Sequence, residues 1–308
     1  MFWPLMFHHF HNDQHPIVQG SISAHQLDKL LLEVKKSCTI YDPDEFSREI
    51  KVVSPDKPLC CLTFDDSLRC QSDVVLDVLD SHNIKAFFFL YTSHLDTSSP
   101  NPMLEVYRDF RCVYFNSIDS FYSAFFEQLY VQTGRDYDYY SSIMPIDHLN
   151  DCPFYSYNDR LYRYTRDFCI DETEYFSCLD SMIYSSNYNL DLAISRLLMT
   201  SKDISSLHSA GHTIGLHSHT HPTRIADYSI EQSTDEYSRN LNFLSSFTDN
   251  PIYSMSHPCG NYNSSILTNL QELGISIGFR ASLKINTQLS SLEIPRIDHA
   301  VLIKEFSL

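Results

Sequence analysis

The sequence predicts an α/β protein with parallel strands, built as a (β/α) barrel or a doubly wound sheet. Three observations carry this expectation. Residues 59–91 read as strand, helix, strand, the βαβ unit that requires parallel pairing. The same alternation returns from about residue 191 towards the C-terminus. The acidic and imidazole-bearing clusters fall at the C-terminal ends of predicted strands, the edge where such folds gather their chemistry.

The elements follow in order. Residues 59–64, LCCLTF, form a short apolar run ending at Asp65-Asp66, and their length and composition favour a buried strand. Over 68–82 the spacing of Val74, Val75, Val78 and Leu79 predicts a helix. AFFFLY at 86–91 is the next buried strand. Leu192, Ile194, Leu197 and Leu198 predict a helix over 191–210, with Gly211 as its C-terminal cap. TIGL at 213–216 is a strand that ends at His217, and 229–247 reads as helix. IYSM at 252–255 is a strand ending at His257-Pro258. A helix over 263–273 and strands at 275–279 and 294–297 complete the series.

Residues 96–190 break the rhythm and hold 14 of the 20 tyrosines, among them Tyr137, Tyr139 and Tyr140. The chain therefore divides into 1–95, the first part of the core; 96–190, an insertion that is partly helical near 103–133; and 191–308, the second part. Two readings of the tyrosines stand side by side. They could stack on a ligand as a lid or wall, or build the core of an added helical subdomain.

Composition excludes several classes. At 308 residues and 43% hydrophobic, the chain can bury a large core. It has no apolar run of about 18 residues, so no membrane span is expected. A net charge of −17 disfavours nucleic acid and anionic membrane as partners. Nine cysteines, an odd number with no CxxC pair, argue against a disulfide framework or a cysteine zinc site. The opening MFWPLMFHHFHNDQH lacks a basic segment and a small-residue cleavage site, so we expect a cytoplasmic protein.

Chemistry concentrates in four clusters: Asp65-Asp66, His217-Ser218-His219-Thr220-His221, His257-Pro258-Cys259-Gly260, and Arg296. Two adjacent carboxylates at a strand end point in different directions. One can bind a cation while the other takes a proton. An aspartate with His217 and His221 would give three protein ligands and leave positions open, the pattern of a catalytic metal site. Zinc suits this set, with cobalt, nickel or manganese as alternatives. Taken singly, each cluster has a plain reading: a paired aspartate often caps a helix, and HxxxH arises by chance in a chain with 15 histidines.

The sequence resembles the polysaccharide deacetylases of carbohydrate esterase family 4. Thr63-Phe64-Asp65-Asp66-Ser67 matches their first motif and His217-Ser218-His219-Thr220-His221 their second, with Gly211-His212-Thr213-Ile214-Gly215 as the usual lead-in. Pro258-Cys259-Gly260 followed by Asn261-Tyr262-Asn263 matches the third. The resemblance covers about 23–95 and 191–300 and leaves out the insertion. It implies an irregular, NodB-like (β/α) barrel of about seven strands. It also implies Asp65 as base, one divalent ion on Asp66, His217 and His221, and the backbone N–H of Cys259 at the oxyanion. Pro258, Gly260, Tyr262 and His9 are the further residues expected at the substrate.

Three departures stand out. Ser256 occupies the place of a third-motif arginine that often orients the base. Cys259 replaces an aromatic residue. The late motif that supplies the general acid is missing near the C-terminus. The permuted branch that acts on poly-N-acetylglucosamine carries its acidic histidine near the N-terminus and a late P-R-I. Phe7-His8-His9-Phe10 and Pro295-Arg296-Ile297 match those features. By this resemblance His8 is the general acid, ahead of His9 and His11, and Arg296 steadies Asp65. A polar turn after the first strand is the plain reading of 8–11.

The expected reaction removes the acetyl group from an N-acetylated saccharide, in a surface polysaccharide or its precursor. The alternatives are a glycan-binding protein of the same fold without catalysis, an amidohydrolase acting on a non-sugar amide, and a scaffold with no use for the ligand set.

Overall fold

The computed structural model describes residues 4–50, 59–96, 98, 103–150, 155–281 and 290–308. The first three residues of the apolar start and, within the predicted insertion, residues 97, 99–102 and 151–154 with Cys152 lie outside the described residues. The chain forms two compact units. One comprises Met1–Pro102 and Arg196–Leu308, and the other is Met103–Ser195.

The first unit is a closed barrel. Strand β1 (Leu5–Phe7) is followed by a two-stranded ribbon, β2 (Phe10–His11) with β3 (Ile22–Ser23), then helices α1 (Ala24–Ser37) and α2 (Pro43–Glu49). β4 (Leu62–Asp65), α3 (Leu76–Ser81) and β5 (Phe87–Leu90) form the βαβ unit. The expected helix over 68–82 enters α3 through a π-helical turn at Gln71–Val75.

In the second unit, α4 (Met103–Asp109), α5 (Ile118–Thr133), α6 (Tyr137–Ile143), α7 (Tyr157–Tyr164) and α8 (Glu172–Tyr184) carry the helical content well past the stretch near 103–133 that the sequence predicts. Capping boxes at Ser156/Asp159 and Asp171/Glu174 start the last two. The core of this unit is aromatic: Phe110, Phe121, Tyr122, Phe125, Tyr140 and Tyr162 are buried. Buried tyrosines keep partners for their hydroxyls. Tyr107 donates to Asp180 at 2.6 Å, and Tyr162 pairs with Tyr175 at 2.7 Å. Helix α9 (Leu190–Leu197) follows.

Back in the barrel unit come α10 (Ser201–Ser209), β6 (Thr213–Leu216), α11 (Ile230–Leu244), β7 (Ser254–Ser256), α12 (Ser264–Glu272), β8 (Ile277–Ala281), β9 (Ile294–Asp298) and α13 (His299–Phe306). The single helix expected over 191–210 is thus two. Thr200 breaks it by capping α10, its hydroxyl accepting from Asp203 N–H while the Asp203 carboxylate accepts from Thr200 N–H. Gly211, at φ 85, lies one residue past the cap, and His212 N–H reaches back to Leu207 O at 3.1 Å in a Schellman closure.

The strand order is β1-β4-β5-β6-β7-β8-β9, every pair parallel, and β9 closes on β1. This resolves the two expected architectures in favour of the barrel. Side chains sort by strand alternation. Leu62, Phe64, Phe88 and Leu90 join Leu27, Leu30, Leu207, Tyr237 and Leu270 of the helices, so they face outward. Cys61, Phe87, Phe89, Ile277, Phe279 and Ile294 form a separate cluster inside. Among the described residues, no helix is long and apolar enough to cross a membrane.

Gly215 is a fixed point of β6. A Cβ there would lie 2.6 Å from the Phe89 ring and 2.8 Å from the Ser254 carbonyl. Gly215→Ala should therefore cost about 1–3 kcal/mol of stability by overpacking. Urea denaturation reads this directly, and an unchanged midpoint would show that the barrel wall yields.

Candidate metal centre

Parallel closure puts the C-terminal ends of seven strands on one rim. β4 ends at Asp65, β6 leads into His217, β7 into His257, and β1 into His8. Arg296 lies within β9, the fully buried strand Ile294–Asp298 up to its last residue.

The paired aspartates part company at the backbone. Asp65 ends the strand, whereas Asp66 and Ser67 turn left-handed at φ 79 and φ 53. Ser67 holds the turn, its hydroxyl donating to Tyr91 O at 2.9 Å and its carbonyl accepting from Met199 N–H at 2.9 Å. Asp65 consequently meets Arg296, and Asp66 meets the histidines.

Arg296 grips Asp65 with two parallel bonds, Nη1 to Oδ1 at 2.8 Å and Nη2 to Oδ2 at 2.6 Å. The same guanidinium donates to Thr63 Oγ1 at 3.0 Å and Ser256 Oγ at 2.7 Å. It sits between the rings of Phe89 and Phe279 and is 1% exposed. Burial pushes the Asp65 carboxyl up, but the Arg296 charge and bonds, with His217 and His8 nearby, outweigh it and hold the carboxyl below its ordinary value.

Asp66 Oδ1 lies 3.1 Å from His217 Nε2 and 3.2 Å from His221 Nε2. Among the described residues, these three form the one group of His, Cys, Asp or Glu side chains whose donor atoms all lie within 4.8 Å of one another. The His217 tautomer follows from its other nitrogen, which bonds the Ser256 carbonyl at 2.8 Å and must donate to it. The Nε2 lone pair then faces a carboxylate oxygen, which repels it unless a proton or cation lies between. Two such imidazoles and a carboxylate fit a first-row divalent ion, and the carbonyl-bound Nδ1 is the outer support that metal-ligating histidines take. Burial raises the Asp66 carboxyl, yet the bonds to His217 and His221 and the charges of His221 and His8 place it well below the usual carboxylate range.

The loop carrying the histidines is strained and heavily braced. Ser218 and His221 are left-handed at φ 62 and φ 57. Helix α11 presents a buried stripe that includes Glu236, Tyr237 and Asn240. Asn240 Oδ1 accepts from His217 N–H at 3.0 Å, and its amide donates to Leu90 O at 2.9 Å. Glu236 Oε2 accepts from His219 N–H at 2.9 Å and Thr220 N–H at 2.8 Å, and Oε1 accepts from Thr220 Oγ1 at 2.7 Å. His219, between the two expected ligands, turns away to Thr92 Oγ1 at 2.8 Å.

His8 Nε2 stands 4.0 Å from Asp65 Oδ2 and 3.9 Å from Asp66 Oδ2. Gln71, buried in the π-helical turn, ties β1 to β4 by donating to His8 O at 2.9 Å and Asp65 O at 2.6 Å. His9 is buried, its carbonyl accepting from Ile22 N–H, and His11 on β2 pairs with Ser21 Oγ at 2.9 Å. The polar stretch after β1 is therefore a strand end plus ribbon, not a bare turn.

The third cluster follows directly on β7. Pro258–Gly260 is a single 3₁₀ turn with Pro258 buried and Cys259 exposed at φ 53. Gly260, at φ 64, brings this turn against β8, where a Cβ would lie 3.0 Å from Ala281 O. Tyr262 is half-buried, stacking on His257 at 4.2 Å and donating to Glu293 at 3.1 Å. His257, which leads into the turn, is buried. Its Nε2–H donates to Leu292 O at 2.8 Å, and burial pushes its imidazole down to about 4. Sequence reasoning missed Gln71, Glu236, Asn240 and the bridging part of Ser256.

The two depressed carboxyls carry a pH signature. Their folded pKa values lie below the unfolded ones, so their stabilisation is present above the unfolded value and lost as pH falls through the folded values. In the metal-free protein the Tm should drop progressively below about pH 5, and Asp65→Asn should flatten that drop. A Tm that holds level down to about pH 3 would contradict the assignment.

Among solved structures, the chain is similar to the de-N-acetylase from Aggregatibacter actinomycetemcomitans, at 12% identity and TM-score 0.56, covering 99% of each chain. It is also similar to IcaB from Ammonifex degensii, at 13% and 0.55, covering 96% of this chain and 90% of that one. A third is the deacetylase PplD from Streptococcus pyogenes, at 15% and 0.53, covering 96% and 91%. At these identities the likeness is one of fold. None of the curated protein sequences compared with the chain is a significant match. The sequence model described as polysaccharide deacetylase matches residues 53–109 and 183–278, which hold Asp65, Asp66, His217, His221 and the third cluster. By that match and by its barrel, the chain belongs to the polysaccharide deacetylases, a family of carbohydrate N-deacetylases.

Proposed function

We propose that the chain is a metal-dependent hydrolase that removes the N-acetyl group from an amino sugar in a surface polysaccharide or its precursor. The observation that carries this is the meeting of Asp66, His217 and His221 within ligand distance of one another, beside a second carboxylate that is held apart from them. The N-acetyl chemistry is the one named for the structural neighbour from Aggregatibacter.

Asp66, His217 and His221 would hold the ion. When bound, a divalent ion supplies Lewis-acid polarisation of the acetamide carbonyl and makes water a nucleophile near neutral pH. Asp65 takes the proton of the attacking water. Arg296 suits Asp65 to this by fixing the direction of both oxygens and keeping the carboxyl ionised. His8, close to both aspartates and a quarter exposed on its side chain, donates the proton that lets the amine depart. The left-handed turn at Cys259 would offer its backbone N–H to the oxyanion. Acetate and the free amino sugar leave.

The decisive measurement is acetate release from N-acetylglucosamine oligosaccharides, with and without chelator. Activity should vanish with chelation and return with Zn²⁺ or Co²⁺. Asp65→Asn should keep its metal and lose about 10²–10⁴-fold in kcat, whereas His221→Ala should lose the metal. Full turnover by Asp65→Asn would remove Asp65 from the mechanism. Bound metal without acetate release would favour a glycan-binding protein. Release from simple acetamides alone would favour a non-sugar amide.

A further inference from the structure

We infer that Glu236 is a positioning residue for the metal centre. Its carboxylate acts as a fixed anion around which the loop between His217 and His221 is wrapped, so that both Nε2 atoms converge on Asp66. This rests on the metal reading above.

The argument begins with the loop. Three residues separate the two histidines, and the backbone must reverse within them, because both rings reach one oxygen, at 3.1 and 3.2 Å. The reversal is made with Ser218 and His221 in the left-handed region, which β-carbon-bearing residues rarely enter. Such a turn aims successive N–H groups to one side, where a concavity for an anion forms. Here the N–H groups of His219 and Thr220 both point at one Glu236 oxygen, at 2.9 and 2.8 Å, and the Thr220 hydroxyl takes the other at 2.7 Å. The anion is thus built in from helix α11.

A carboxylate only 9% exposed is costly unless its oxygens are satisfied, and these three donors satisfy it. Charged acceptors also bind N–H groups roughly twice as strongly as neutral ones. One helical turn further along, Asn240 holds His217 N–H, so a single face of α11 sets both the first ligand and the turn to the second. Remove the anion, and the two N–H groups must find other acceptors. The turn keeps the bond from His221 N–H to Ser218 Oγ at 3.1 Å and the contacts of the His219 carbonyl, but it loses the anion that gathers its two central N–H groups, and His221 shifts away from Asp66. Glu236 itself touches neither His217 nor His221 through a side chain; it acts through the loop.

The test measures Zn²⁺ affinity by chelator competition, and the visible absorption of bound Co²⁺, in the full chain. Glu236→Ala should weaken Zn²⁺ binding about 10- to 100-fold, as loss of outer-shell support does elsewhere. Glu236→Gln keeps one oxygen for the two N–H groups but no charge, and should fall between Ala and wild type, with an altered Co²⁺ band in both variants. Leu270→Ala, a core change in α12, serves as the control for stability alone and should bind Zn²⁺ like wild type at a temperature where it is folded. Wild-type affinity in both Glu236 variants would overturn the inference. Should Glu236→Ala fail to fold, wild-type affinity in Glu236→Gln would overturn it by itself. An equal loss in Leu270→Ala would also overturn it, since general loosening would then explain the effect. Failure of the wild type to bind either ion is a different result, and sinks the metal reading instead.

Discussion

A guanidinium closed inside a barrel of phenylalanines sets the terms for everything else at this rim. Arg296 is buried between Phe89 and Phe279, where a lone cation would be untenable. It is tolerated because Asp65 neutralises it through two short bonds and because Thr63, Ser256 and the Arg280 carbonyl take its remaining donors. A buried pair of this kind is weak evidence for stability, since apolar side chains of similar volume often do as well. Its consequence is directional. With Asp65 committed to Arg296, the neighbouring Asp66 alone is left to face the imidazoles, and two chemically identical side chains acquire different environments.

That division would fail on a relaxed backbone. The turn at Asp66-Ser67, the loop at Ser218 and His221, and the turn at Cys259 all enter the left-handed region without glycine. Each such residue costs of the order of 1–3 kcal/mol and persists only where its surroundings over-determine it. The surroundings here are specific. Ser67 is pinned by Tyr91 and Met199, the histidine loop by Glu236 and Asn240, and the strand ends of β1 and β4 by Gln71. Strain at the rim is thus offset by hydrogen bonds from the helices and loops packed around it. A rigid fold becomes a means of holding three donors closer than they would rest unaided.

The sequence made some of this readable and hid the rest, for physical reasons. LCCLTF and AFFFLY read as strands because both of their faces are buried, and a strand buried on both sides is a near-continuous apolar run. The Asp65-Asp66 and His217…His221 spacings read as a site because ligand geometry restricts which residue types can serve. Closure was not readable: the pairing of β9 with β1 joins Ile297 to Leu5 and leaves no local trace. Glu236 and Asn240 were not readable either. In the stretch Glu231 to Asn240 they sit among charged and polar residues like an ordinary wet helix face, and only the packing of α11 against β6 shows that they are inside. The break at 198–200 did have a signal, the Thr200/Asp203 capping box, but the leucine spacing on either side of it suggested one continuous helix. In the tyrosine-rich unit the helices were obscured because their buried stripes are aromatic and hydroxyl-bearing rather than aliphatic.

The serine where an arginine was expected shows how the site tolerates a change of parts. Ser256 Oγ lies 2.7 Å from Arg296 Nη2 and 3.2 Å from Asp65 Oδ2, so it stands in the space that a longer side chain from β7 would need to reach Asp65. Two guanidiniums could not share that space, because like charges at such a distance in a buried site repel strongly. A small hydroxyl at 256 and an arginine at 296 are therefore one solution rather than two independent residues. The serine completes the donor set around Asp65, while its carbonyl fixes the His217 ring. Here the cation that orients Asp65 comes from β9, while β7 keeps a small side chain and a hydrogen bond. Asp65 is held by the charge beside it, and closure of the barrel lets β9, distant along the chain, supply that charge.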